Sequence, residues 1–114
     1  MLVVDDDTSL RLLCRVNLEL DGYRVLEAAS AGEARDLLAR EHVDALLVDV
    51  HLGDGDGRDL LRELGPGRPP TALFTGTEPA DALDGLADAV IHKPFEIDQL
   101  AATVERLVQV DSAP

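Results

Sequence analysis

Five short apolar runs, Leu2 to Val4, Tyr23 to Glu27, Ala45 to Val50, Thr71 to Thr75 and Ala89 to His92, alternate along the chain with segments of helical period. An order of strand then helix throughout requires parallel strands with helices crossing over the sheet, and such a sheet is covered on both faces. The pattern therefore predicts an α/β fold, doubly wound around five parallel strands. Leu10, Leu13, Cys14 and Leu18 mark one face of a first helix. Ser30 and Glu33 have capping-box spacing, and Ala34, Leu37 and Leu38 form the buried stripe of a second helix. Arg58 to Leu64 makes a short third helix of modest apolar content, stopped by Gly65-Pro66. A fourth, from Pro79 through Ala80 to Leu86, is short or irregular, since the last strand follows at once. The last helix carries Ile97, Leu100, Ala101, Val104, Leu107 and Val108 on one face, and the tail from Asp111 to Pro114 is expected to fray.

With 114 residues, 46% of them hydrophobic, the chain fits a single core, so residues 1–114 are read as one domain with no room for a separate output domain. The formal charge of −13 repels nucleic acid and anionic membrane surfaces, which argues against direct DNA binding. Cys14 is the only cysteine, so no internal disulfide can form and a reducing compartment is expected. The opening Met1-Leu2-Val3-Val4 is too short for a signal peptide, and no apolar run approaches the ~20 residues of a membrane span, which together predict a cytoplasmic protein.

In an open parallel sheet ligands bind at the edge where strands feed into helices, where the strand order reverses. The sequence loads that edge selectively. The first strand runs into Asp5-Asp6-Asp7, the third into Asp49, the fourth ends at Thr75 and the fifth runs into Lys93. Carboxylates gathered so closely repel one another and need protons or a cation, and an all-oxygen site suits a hard ion such as Mg²⁺. An ammonium and a hydroxyl beside them could hold further oxygens of a phosphoryl group. Lys93 is the only lysine among ten basic residues, so a compact point charge rather than a planar fork is what this position keeps. His42, His51 and His92 do not have metal-ligand spacing. The acidic run at Asp54, Asp56 and Asp59 has the wrong glycine spacing for a calcium loop, and no lysine follows it to make a phosphate-cradling one.

These residues resemble the response regulator receiver family of two-component signalling over nearly the whole chain. Leu2-Val3-Val4-Asp5-Asp6 looks like its acidic-pair strand and Leu46-Leu47-Val48-Asp49 like its phosphoacceptor strand. Phe74-Thr75-Gly76 looks like its hydroxyl strand and Lys93-Pro94-Phe95 like its lysine-proline signature. The resemblance implies a flavodoxin-like sheet of order 2-1-3-4-5. It further implies that Asp49 is phosphorylated, that Asp6 ligates Mg²⁺ and Asp5 orients it through water, and that the backbone carbonyl of His51 adds a ligand. Thr75 and Lys93 would contact the phosphoryl group, and Lys93-Pro94 would be a cis peptide. The implied partners are a histidine kinase or histidine phosphotransfer protein and a downstream protein, or a second copy of the chain in a phosphorylation-dependent homodimer. Such a module signals and is not an enzyme in its own right.

The sequence departs from the family in three places. Gly53 stands where the family often has proline, opening the run Gly53-Asp54-Gly55-Asp56-Gly57 that reads as a looser loop. Val90 stands where the family usually carries the aromatic ring of its switch, and Thr75 and Lys93 are only eighteen residues apart. Two rival readings follow from the same residues. One is a pseudo-receiver that only binds proteins; the other is a haloacid-dehalogenase-like phosphatase with Asp5 as nucleophile, which would leave Asp49 unexplained.

Overall fold

In the computed structural model, which describes residues 1–76 and 85–112, the central strands are apolar on both sides and buried along their whole length. These are β1 (Leu2–Val4), β3 (Leu46–Asp49) and β6 (Thr71–Thr75), flanked by β2 (Leu26–Ala28) and β7 (Ala89–His92) at the edges. All pair in parallel, in the order β2-β1-β3-β6-β7. Since a small hairpin, β4 (His51–Leu52) with β5 (Gly55–Asp56), takes two numbers, this is the expected 2-1-3-4-5 order. The hairpin itself was not foreseen.

Alternate residues of each strand face opposite sides. Leu2, Val4, Leu46, Val48 and Leu73 join one core cluster with Ala34, Leu60 and Leu61, beneath α2 (Ala31–Arg40) and α3 (Gly57–Leu64). Val3, Leu47 and Phe74 join the other, with Cys14, Leu18, Leu100 and Val104 from α1 (Thr8–Leu20) and α4 (Ile97–Ser112). Ser30 caps α2 by accepting from the Glu33 amide, as its spacing predicted, and Gly65, at φ +70°, ends α3.

Several expectations shift. The second strand begins at Leu26 rather than Tyr23 because β1 offers only three residues to pair with, and Tyr23 packs against the core instead. Leu13 is 42% exposed. The buried stripe of α1 runs through Leu10, Cys14 and Leu18 at four-residue steps, which drift around the helix away from the three-residue neighbour. Helix α3 starts one residue early, at Gly57, and buries both Leu60 and Leu61. The last helix runs to Ser112, two residues into the tail expected to fray, and Ala113 and Pro114 lie outside the described residues. The expected fourth helix lies outside the described residues except for Gly85 and Leu86, which form a turn. Among the described residues, no helix is long and apolar enough to cross a membrane.

Cys14 is fully buried, and burial, with the Asp5 charge adding to it, pushes its thiol up to about 12. A small disulfide reagent at mildly alkaline pH is therefore expected to label the native protein at least ~1,000-fold more slowly than the denatured chain. Timed thiol release in the two states measures the ratio.

Candidate functional site

At the carboxyl edge of the sheet, each strand hands the chain to a polar residue at the point where its apolar stretch ends. The three aspartates after β1 part company there. Asp5 is fully buried, Asp6 is exposed, and Asp7 caps α1, its carboxylate accepting from the amides of Ser9 (2.9 Å) and Leu10 (3.3 Å). Asp49, at the end of β3, is 8% exposed. Carboxylate oxygens of Asp5, Asp6 and Asp49 lie within 4.8 Å of one another, and this is the acidic or histidine cluster that could hold a metal ion among the described residues. None of the three histidines belongs to it.

Lys93, just past β7, reaches back over this cluster. Its Nζ donates to Asp49 Oδ2 at 2.7 Å and to Asp5 Oδ2 at 2.9 Å, and it lies 5.7 Å from the centroid of the Phe74 ring. Phe95 stacks on Phe74 with centroids 5.2 Å apart. The Lys93-Pro94 bond is cis, as the resemblance implied. Burial pushes the Asp5 carboxyl above the ordinary carboxylate value, against the Asp7 amide and Lys93, which favour its charged form. For Lys93, burial disfavours the ammonium, but its hydrogen bonds to Asp49 and Asp5 and the charges of those two carboxylates outweigh it, and the net shift is upward.

The remaining predicted residues sit around this core. Thr75 is buried at the end of β6, one residue beyond Phe74, the register partner of Asp49; its carbonyl accepts from the Lys93 amide at 2.7 Å. His51 has an exposed side chain, but its backbone amide donates to Asp49 Oδ1 at 3.1 Å. Val90 is half-buried against the core cluster beneath α2 and α3.

Some residues of the site carried no chemical signal in the sequence. Arg11 donates to the Asp5 carbonyl at 2.6 Å while pairing with Glu27, bracing the turn between β1 and α1. Gly57 is required by close approach: a Cβ there would fall 2.1 Å from the Asp49 carbonyl oxygen and 2.8 Å from Val48 Cγ1. The run from Gly53 to Gly57, expected to be loose, is held at several points. Asp54 accepts from the amides of Ala31 and Gly32, Asp56 caps α3 and pairs with Arg58, and the Gly57 amide bonds Val50 at 2.8 Å.

Chemically, the arrangement is an oxygen-only donor set with one exposed member, fitted to a hard divalent cation, beside an ammonium already bonded to two of the carboxylates. It does not favour Asp5 as a nucleophile. Asp5 is without solvent exposure, and both its oxygens accept hydrogen bonds, from the Asp7 amide and from Lys93.

The response regulator receiver domain family model matches residues 1–105. Response regulators MprA from Mycolicibacterium vanbaalenii and Mycobacterium tuberculosis are each 36% identical over 115 residues, covering 96% of this chain and 50% of the relative. The chain thus spans about half the length of the curated relatives it matches. Among solved structures, a CheY-like receiver domain protein from Methanospirillum hungatei superposes with a TM-score of 0.86 at 32% identity, covering 96% of this chain and 93% of that one. The receiver domain of NtrX from Brucella abortus gives 0.86 at 27% identity, covering 95% and 97%.

Two substitutions test this geometry. Lys93→Met leaves Asp5 buried opposite Asp49 with no cation, and is expected to lower the unfolding free energy at neutral pH by about 3 kcal/mol. The loss should shrink on acidification as Asp5 takes up a proton, and urea titrations at two pH values measure both effects. Gly57→Ala, with no space for its methyl, is expected to cost about 3 kcal/mol, read from the urea midpoint at unchanged slope.

Proposed function

The chain belongs to the response regulator receiver domain family of two-component systems, whose members are signalling modules, and on that premise we propose that residues 1–114 form a receiver in which Asp49 accepts a phosphoryl group. The observation that carries this reading is the placement of Asp49 between Lys93 and the Asp5 and Asp6 carboxylates, at the mouth of the sheet edge.

The donor is a phosphohistidine on a histidine kinase or histidine phosphotransfer protein. An Asp49 carboxylate oxygen attacks phosphorus in line, a P–O bond forms as the P–N bond breaks, and the leaving imidazole recovers a proton. The residues that would hold Mg²⁺ are Asp6 and Asp49, with Asp5 through water and the His51 backbone carbonyl, and the bound ion would supply neutralisation of the charge that builds up on the phosphoryl oxygens. Lys93 exchanges its bond to Asp49 for one to a phosphoryl oxygen while keeping Asp5. The Thr75 hydroxyl donates to another. Later attack by water on phosphorus releases inorganic phosphate and restores the Asp49 carboxylate.

The adduct would shift a pre-existing equilibrium between two forms of the protein. The readout is association, with a downstream protein or with a second copy of the chain; a surface of this negative charge does not suit nucleic acid. The same reading places the module in the cytoplasm. A pseudo-receiver would have no use for the full set of Asp5, Asp6, Asp49, Thr75 and Lys93.

Intact mass after incubation with acetyl phosphate and Mg²⁺ tests the proposal. Wild type is expected to gain one phosphoryl group, and none without the metal. Asp49→Asn is expected to gain none. Labelling of Asp49→Asn equal to wild type would remove Asp49 as acceptor, and loss of labelling in Asp5→Asn alone would point to the phosphatase chemistry instead.

A further inference from the structure

The β4–β5 hairpin touches the acidic cluster at two points. The His51 amide bonds Asp49 at its base, and near its tip Gly53 lies beside Asp6, whose Oδ2 would be 3.6 Å from a Cβ built there. The hairpin thus lies against both Asp6 and Asp49. Two of its residues are anchored, Leu52 buried in the core beneath α2 and α3 and Asp56 capping α3, and the bond from the Gly57 amide to the Val50 carbonyl closes its base. The tip, Gly53-Asp54-Gly55, carries a single side chain between two glycines, whose backbones fold over a wide range of angles.

That one side chain spans to another element. Asp54 takes the Ala31 amide on Oδ1 at 2.9 Å and the Gly32 amide on Oδ2 at 3.2 Å, binding both oxygens to the first turn of α2. Those two backbone bonds hold its carboxyl below the ordinary range although the residue is exposed. A carboxylate engaged through both oxygens has little freedom to pivot, so the tip is fixed in position as well as in attachment.

We propose that Asp54 is a positioning residue: by fastening the hairpin tip to α2 it sets the opening between Asp6 and Asp49, and with it the affinity of the cluster for a divalent cation. The inference rests on the reading in which Asp6 and Asp49 hold that cation. It concerns a residue outside the Asp5, Asp6 and Asp49 cluster. A purely electrostatic role for Asp54, as one more negative charge near the site, makes a different prediction, because it would survive any change that keeps the charge.

The test compares wild type, Asp54→Ala and Asp54→Glu by calorimetric Mg²⁺ titration at fixed ionic strength. Amide hydrogen exchange at Ala31 and Gly32 is followed in the metal-free proteins, and thermal melts confirm folding. Asp54→Glu keeps the charge, but its extra methylene cannot hold the tip at the same height. Both variants are expected to bind Mg²⁺ about 10-fold more weakly, the lower end for residues that orient metal ligands, with faster exchange at the two amides. Affinity equal to wild type in both variants would overturn the proposal. So would weakening in Asp54→Ala with wild-type affinity in Asp54→Glu, since charge alone would then account for it. If Asp54→Ala does not fold, Asp54→Glu decides between these outcomes. Failure of wild type itself to bind Mg²⁺ would instead sink the cation reading of the cluster, and the proposal with it.

Discussion

Lys93 bonds both of two carboxylates that are buried side by side. Asp5 has no exposure to solvent and Asp49 very little, and an ionised carboxylate in such surroundings needs a partner within hydrogen-bonding reach. One ammonium serves both, at 2.9 and 2.7 Å. With Asp6 beside them the cluster sets three carboxylates against one ammonium, a donor set that suits a divalent cation. A guanidinium could satisfy two carboxylates as well, but its planar fork would commit to a fixed pair of oxygens, whereas an ammonium can give up one oxygen for another. Under the proposed function, in which Lys93 holds a carboxylate before reaction and a phosphoryl oxygen after it, that freedom is an advantage.

The parallel sheet is what brings these groups together. Asp5 follows β1, Asp49 ends β3, Thr75 ends β6 and Lys93 follows β7, and because all four strands point the same way their ends meet along one edge. An antiparallel arrangement would send half of them to the opposite side. The apolar runs supply the buried core, while the residues at their carboxyl ends carry the polar groups of the candidate site. The bond from the Lys93 amide to the Thr75 carbonyl joins the last two of these ends directly.

Most of the fold and the centre of the site were legible because they rest on patterns of wide reach. Apolar runs mark buried strands whatever surrounds them, and an aspartate or lysine at the end of such a run stands out against it. What was not legible depended on distances between elements. Leu13 has the spacing of a buried residue, but the stripe of α1 turns the other way and leaves it exposed. Gly57 looked like part of a flexible run, whereas the Asp49 carbonyl lies too close for any side chain. Arg11 reads as an ordinary helix-surface cation until the carbonyl of Asp5 is seen beneath it.

The segment from Gly53 to Gly57 makes the same point most sharply. Alternating glycine and aspartate suggests a solvated, self-repelling loop, and by composition alone nothing opposes that. In three dimensions each aspartate has taken a helix N-terminus, Asp54 that of α2 and Asp56 that of α3, where unpaired amides and the helix dipole favour negative charge. The glycines flanking them, Gly53 and Gly57, then allow the backbone to pass close to Asp6 at one end and Asp49 at the other. Acidity and glycine content, which separately argue for looseness, together let the chain lie against an acidic cluster without adding side-chain bulk or free charge to it. The missing proline is thus replaced by two capping carboxylates, and the rigidity that a ring would have given the loop comes from the helices on either side.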